Sequence, residues 1–370
     1  MKRALLDDDA YDDDHVEDHD DLLGDGDDDA PRKEKRRGPL FVLFMLCVLV
    51  LLIPILVVGF YLGRGYLALD SIERDSSLTP TDYQGRPAPA VANPDEPDAK
   101  APINFVLMGS DTRGDERGRS DSLMVAHVTG DREHVYLISF PRVMWVEIPG
   151  RGKAKINAAY SWGGVPLTVR TLENLLDVRM DHTVAIDFEG FINLTNAVGG
   201  VTVYNPWATE QNAGTRFEKG EITLQGERAL VYVRERYPLP NGDLDRAYRQ
   251  RTVVKAIIGK LATPETLTNP SRFSDVVGQV ADTLTVDDQM TNSYITELGT
   301  QMRVFSGDGV RMLQAPIRGF GTIAGQSVDV VDHGRLEMLG QALATDTMEQ
   351  YFTSYGNDSY AKLPQVEPDE

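Results

Sequence analysis

The sequence predicts an α/β domain, a central mixed sheet flanked by helices, preceded by one transmembrane helix. Three observations predict it. An apolar run without a single charge lies between Pro39 and Leu62, roughly the 20 residues that a helix needs to cross a bilayer. Short segments of strand character, bounded by Gly, Asp, Arg and Pro, crowd the stretch from Asn104 to Ile148. Helical periodicities with further strand candidates between them follow as far as Thr347, the mixing that favours a helix-flanked sheet.

Taken in order, residues 1–38 are an acidic tail. Aspartate runs such as Asp7 to Asp9 and Asp12 to Asp14 leave nothing to bury, so a disordered segment is expected, free to bind a cytoplasmic partner. Two metal-like patterns in it fail. Asp25, Asp27 and Asp29 begin like a calcium loop, but Ala30 stands at the required glycine and Arg36 at the closing glutamate. His15 and His19 have ligand spacing without the HExxH order. The tail ends in the basic cluster PRKEKRR, Pro31 to Arg37, which by the positive-inside rule keeps the N-terminus in the cytoplasm. The span over 39–62 then gives single-pass type II topology in the cytoplasmic membrane, with the remainder extracytoplasmic. Pro54 and Gly59 are tolerated in membrane helices. A cleaved signal peptide is the alternative, disfavoured by the length of the run and by the lack of a small-residue cleavage site.

Residues 63–102 are rich in Pro, Ser, Asp and Ala and read as an extracytoplasmic linker. The folded domain is expected over 103–352 and a polar, loose tail over 353–370. Strands are expected at Asn104–Met108, Leu123–Val128, Val135–Ser139, Trp145–Ile148, Thr183–Asp187, Val310–Leu313 and Ser327–Val331. Helices are expected at Leu167–Leu176, Gly190–Ala197, Glu227–Val233, Ala247–Leu261, Arg272–Leu284, Asn292–Phe305 and Leu336–Thr347.

The chemistry narrows by exclusion. A net charge of −20 argues against nucleic acid. The lone Cys47 lies in the apolar run, so the exterior part has no cysteine for a disulfide. His127, His134, His182 and His333 are scattered singly, which disfavours a zinc hydrolase. Ser110 follows a glycine, but GxSxG is absent, and so is a nucleotide P-loop. What remains is aspartate and arginine. GSDTRGDERGRSDS, Gly109 to Ser122, sets Asp111 and Asp121 among Arg113, Arg117 and Arg119. FPRVMWVEIPG, Phe140 to Gly150, adds Arg142, and Tyr232 to Gln250 brings Arg234, Arg236, Asp243, Asp245, Arg246, Arg249 and Gln250. Carboxylates with arginine forks suit a divalent metal holding a polyphosphate. A set of solvated surface loops is the competing reading, in which Asp243 caps a helix.

The order of these blocks, with KINAAYSWGG (Lys155 to Gly164) and DFEGFINLTNAVGGVTV (Asp187 to Val203) between them, resembles the LytR-CpsA-Psr family in an actinobacterial-like form, over a motif core of 104–261. The resemblance implies an α/β/α catalytic domain and a magnesium-dependent phosphotransferase. Such an enzyme moves a glycopolymer, whether arabinogalactan, teichoic acid or another secondary wall polymer, from a polyprenyl pyrophosphate carrier onto peptidoglycan. By matching positions it also implies that Asp111 and Asp121 hold Mg2+. Arg119, Arg142, Arg234, Arg236, Arg246 and Gln250 would then bind pyrophosphate, and Arg142, Arg234, Arg236 and Asp243 would serve catalysis. A polyprenyl tail would fill an apolar slot, for which Leu172, Leu175 and Leu176 on one helix and Val253, Val254, Ile257 and Ile258 on another are candidates; ordinary core is the alternative. One departure is Val143, where the family has aspartate after Pro-Arg. A pyrophosphatase using water as acceptor, or a non-catalytic lipid- or wall-binding protein, would use the same residues.

Overall fold

In the computed structural model the structure describes residues 63, 69–92, 100–110, 120–210, 214–261, 278–304, 307–356 and 363–368, with the backbone alone at 110, 120 and 121. The expected tail 1–38 and span 39–62 lie outside the described residues, and no described helix is long and apolar enough to cross a membrane.

The described elements open with β1 (Glu73–Arg74), β2 (Ile103–Ser110), β3 (Ser120–Val128) and β4 (Val135–Ser139). A hairpin of β5 (Trp145–Ile148) and β6 (Gly152–Lys155) leads into α1 (Asn157–Leu176), followed by β7 (His182–Ile186) and α2 (Phe188–Ala197). Next come β8 (Val201–Asn205), β9 (Thr209–Glu210), β10 (Arg216–Phe217), β11 (Gly220–Leu224), α3 (Gly226–Arg234) and α4 (Asp243–Leu261). The chain closes with β12 (Thr285–Val286), α5 (Asn292–Gln301), β13 (Val310–Gln314), β14 (Ile317–Ile323), β15 (Gln326–Val331), α6 (His333–Ala344) and α7 (Met348–Tyr355).

Seven strands form one mixed sheet in the order β1-β12-β7-β2-β3-β4-β13. β2, β3 and β4 are joined antiparallel, whereas β7 adds parallel to β2 and β13 parallel to β4. The central strands are apolar on both sides, as a sheet between two helical layers requires. Side chains alternate between the faces. Val106, Val125, Tyr136 and Ile138 pack with Leu172 and Leu176 of α1 and with Leu336 and Leu339 of α6. Phe105, Ala126, Val135 and Leu137 pack on the opposite side with Val254 and Ile258 of α4 and Ile295 of α5. A satellite core joins α2, α3 and α4 to the β8/β11 pair through Leu194, Val203, Leu224, Tyr232 and Val253.

Several boundaries differ from the expected ones, each for a local reason. α1 is two helical segments joined at a kink: the part beyond Gly164 corresponds to the expected Leu167–Leu176, and a further segment from Asn157 precedes it, where Gly163, Gly164 and Pro166 hide the periodicity. The helix kinks at Gly164 (φ 65°, ψ −153°), a backbone state open to glycine. Pro166 then falls in the first turn after the kink, where its missing N–H costs nothing. The expected helix over Leu336–Thr347 is α6, which runs His333–Ala344, and a second helix, α7, follows from Met348. Asp346 turns the chain with φ 56°, and its carboxylate is fixed by accepting from Gly130 N–H at 2.7 Å, with His127 Nε2 at 3.1 Å. α5 stops at Gln301, short of Phe305. The tail expected from residue 353 starts inside α7, and part of it is fastened to β14, with Phe320 N–H donating to Pro364 O at 2.9 Å and Val366 N–H to Phe320 O at 2.8 Å. Glycine is needed at 319 for that approach, since a Cβ there would lie 2.4 Å from Pro364 O.

Candidate active site

An apolar cavity of about 290 Å³ lies between the sheet and the helices α2, α3 and α4. Leu107 and Val184 form its sheet wall, Phe191, Leu230, Val254 and Ile258 its helical wall. Its few polar lining groups include Asp187, Ser122, Arg234 and Gln250. Of the residues expected to line a lipid slot, Val254, Ile257 and Ile258 do so. Leu172, Leu175 and Leu176 do not: α1 covers the other face of the sheet, where Leu172 and Leu176 are core. Val253 is likewise buried in the satellite core. Periodicity identifies an apolar helix face but not which neighbour it meets, so α2 and α3 supply the wall that α1 was expected to form.

Two arginines meet at the start of α4, whose later turns line the cavity. Asp243, the first residue of α4, is buried and holds both, with Arg246 Nη2 at 2.5 Å and Arg142 Nε at 3.4 Å from its Oδ1. Both Asp243 and Arg246 have side chains less than a tenth exposed, so this is no solvated surface pair. Asp243 is not a helix cap; the turn before α4 is held by Asp245, whose Oδ2 accepts from Asn241 N–H at 2.7 Å. Arg234 ends α3, exposed, with its guanidinium 4.2 Å from the ring centre of Phe188, a cation–π contact that aims it across the cavity wall. Gln250 donates from Nε2 to Val233 O at 3.3 Å, tying α4 to α3 where both border the cavity.

Arg234 and Arg236 flank Glu235, and that residue is locked. Glu235 is buried in an ion pair with fully buried Arg249 and also accepts from Thr209 Oγ1. Arg249 donates further to Asn205 Oδ1 at 3.2 Å and Thr209 Oγ1 at 3.1 Å, and lies 4.2 Å from the centre of the Tyr232 ring. Arg249, read from sequence as part of a phosphate-binding cluster, is therefore structural: it fixes the peptide that presents its two neighbours.

Two site groups escaped the sequence reading. Asp329 on β15 is buried, and burial pushes its carboxyl up to about 7; nearby Asp243 adds to the rise, while Arg236 and Lys155 oppose it. Lys155, on β6, opens the KINAAY block as a lone charge, and Asp329 lies in a segment with no dense charge cluster at all, so neither carries a local signal.

Asp111 and Arg119 lie outside the described residues. Asp121 is described by its backbone, and its position is informative. Gly109 pairs with Ser122 and Ser110 with Ser120, so Asp121 is the extra residue of a bulge in β3, a device that re-aims a strand beside a site. Gly109 and Ser122 both line the cavity. Among the described residues no group of three His, Cys, Asp or Glu could hold a metal ion.

Comparison with known proteins places the chain in a family. The LytR_cpsA_psr family model matches residues 57–345. A polyisoprenyl-teichoic acid–peptidoglycan teichoic acid transferase TagU of Bacillus cereus (strain AH820) is 41% identical over 180 residues, which take in 48% of this chain and 58% of that protein. The match thus spans less than two thirds of that relative. The structure of TagV from B. subtilis superposes with a TM-score of 0.58 at 28% identity, covering 66% of this chain and 97% of TagV. TagT bound to LIIa-WTA gives 0.54 at 27% identity, covering 72% and 99%.

Proposed function

Because the chain belongs to the LytR_cpsA_psr family, we propose that it is a magnesium-dependent phosphotransferase. It moves a glycopolymer from a polyprenyl pyrophosphate carrier onto peptidoglycan at the outer face of the cytoplasmic membrane. One observation carries the reading: the apolar cavity has Arg234 and Gln250 in its wall, and a buried cluster of Arg142, Arg246 and Asp243 is built on the first turn of α4, the helix that supplies Gln250. Such a site matches an amphiphile with a hydrocarbon tail and a multiply charged head. Each methylene of the tail taken from water contributes roughly 0.8 kcal/mol, and the forked guanidinium groups donate to phosphate oxygens in bidentate fashion. The TagU relative is named for this class of donor and acceptor. The glycopolymer itself is a secondary wall polymer, teichoic acid and arabinogalactan being equally compatible with the site.

The residues divide the work. Leu107, Phe191, Leu230 and Ile258 hold the polyprenyl chain and exclude water from the side of the reacting phosphates. Arg234, Arg236, Arg142 and Arg246, with Arg119 and Gln250, bind the pyrophosphate and stabilise charge as it moves to the leaving polyprenyl phosphate. Asp243 orients Arg142 and Arg246 by its two ion pairs. A magnesium ion suits the remaining donors. Asp111 directly follows β2 and Asp121 sits at the β3 bulge, at the strand ends whose Gly109 and Ser122 line the cavity; two carboxylates plus phosphate oxygens are the ligand set this ion takes. When bound, the metal neutralises phosphate charge and polarises the phosphorus under attack.

The test is mass spectrometry of lipid retained by the purified protein, paired with transfer from a synthetic polyprenyl-pyrophosphate glycan to a soluble peptidoglycan fragment. Recovery of a polyprenyl phosphate or pyrophosphate, with metal-dependent transfer, is the expected result. An unrelated lipid together with no transfer would overturn the reading.

A further inference from the structure

Asp329 is the member of the cluster that pyrophosphate binding leaves unexplained. The residue is 3% exposed, and its Oδ2 has no hydrogen-bond donor among the described residues. Burying a carboxylate in that state is costly, and an orphaned buried polar atom calls for a reason. Its position is not a loop accident. Asp329 is registered against Phe320 in the β14/β15 pair. Its N–H donates to Val143 O at 3.0 Å, and it forms a parallel bridge with Met144. The strand is thereby fastened to the corner that carries Arg142. The charged groups that act on it come from three other elements: Asp243 from α4, Arg236 from the segment between α3 and α4, and Lys155 from β6.

We infer that Asp329 is the general base of the transfer, the group that takes the proton of the acceptor hydroxyl. This rests on the phosphotransfer reading above. The acceptor oxygen forms a bond to the phosphorus that carries the glycopolymer, and the bond from that phosphorus to the bridging oxygen breaks. The polyprenyl phosphate leaves with the electron pair. The hydroxyl proton passes to the Asp329 carboxylate and is released to water once the product departs. Arg236 and Lys155 belong to the phosphate side of this arrangement, while Asp243 keeps the base strong by like-charge repulsion. An ordinary carboxylate is a poor proton acceptor for a sugar hydroxyl, whereas one raised to about 7 is matched to neutral pH.

The full-length protein in detergent is assayed with a geranylgeranyl-pyrophosphate-linked disaccharide as donor and a soluble peptidoglycan fragment as acceptor. Donor binding is measured separately by calorimetry. Wild-type kcat should rise with pH through a single limb near 7. Asp329→Asn should bind donor within about threefold of wild type yet lose roughly 10² to 10⁴ in kcat together with that limb; Asp329→Glu should recover part of the rate with a displaced limb. A purely structural role would not remove the limb while sparing donor binding. If wild type binds no donor, the phosphotransfer reading falls and the inference with it. If wild type transfers while Asp329→Asn keeps both rate and limb, the role of Asp329 alone is overturned. Should Asp329→Asn fail to fold, 13C carboxyl titration of Asp329 in the wild type decides, since the carboxyl and the kinetic limb must titrate together or the assignment is wrong.

Discussion

Glu235→Ala is the sharpest probe of how the arginine pair is presented. The substitution removes one partner of an ion pair in which neither side chain is exposed, leaving the Arg249 charge to Asn205, Thr209 and the faces of the Tyr232 and Phe217 rings. Breaking a buried pair from one side costs about 3–5 kcal/mol. That is a large part of the roughly 5–15 kcal/mol by which a typical domain is stable. Urea denaturation followed by tryptophan fluorescence suits the measurement, because Trp207 packs edge-on against Tyr248 in the same region. A double variant, Glu235→Leu with Arg249→Met, replaces the pair by apolar side chains of similar bulk and should recover to within about 1 kcal/mol of wild type. Glu235→Ala should also weaken binding of geranylgeranyl pyrophosphate even where it remains folded, since Arg234 and Arg236 are the residues on either side. A cost below about 1 kcal/mol, or unchanged lipid affinity in the folded variant, would refute the view that Arg249 and Glu235 lock the phosphate-binding peptide.

Asp121→Ala should abolish magnesium-dependent transfer in a protein that still folds and retains lipid; activity that survives both this change and chelation would exclude the metal assignment. Leu230→Trp should fill the cavity and lower the lipid recovered by mass spectrometry at least tenfold, since Leu230 lies in its wall. Val143→Asp should change transfer by less than about tenfold, whereas Arg142→Ala should cost ~10² to 10³, because Arg142 pairs with buried Asp243 and Val143 contributes its carbonyl to Asp329. The raised carboxyl of Asp329 also makes stability depend on pH. Between the ordinary carboxylate value of 3.8 and about 7 the folded state holds a proton that the unfolded state has released, so stability falls as pH rises through that window. Denaturation at pH 5 and pH 8 should therefore show wild type losing up to about 2.5 kcal/mol relative to Asp329→Asn; equal stabilities at both pH values would contradict the burial of that charge.

The sequence by itself determined the elements whose signal is local. β4 reads Val-Tyr-Leu-Ile-Ser and is buried throughout; no arrangement but a strand covered on both faces suits such a run. The arginine blocks at 142 and 234–246 were legible for a similar reason, since charges that dense near apolar segments need a ligand or a partner. The helix pattern of α4 likewise announced an apolar face with Val254, Ile257 and Ile258. Tertiary structure alone decided what each face meets. It put Leu172 and Leu176 in the core and gave their expected place in the cavity to Phe191 and Leu230. It made Arg249, one of the clustered arginines, the buried partner of Glu235, and it set Asp121 at a bulge that exists only through the pairing of β3 with β2. Above all it brought Asp329 to the corner of Val143 and Met144, across a separation that no spacing rule spans. Periodicity and composition act over a few residues, and they fix what a segment can become. Burial, ion pairing and raised acidity belong to neighbours that the fold alone supplies.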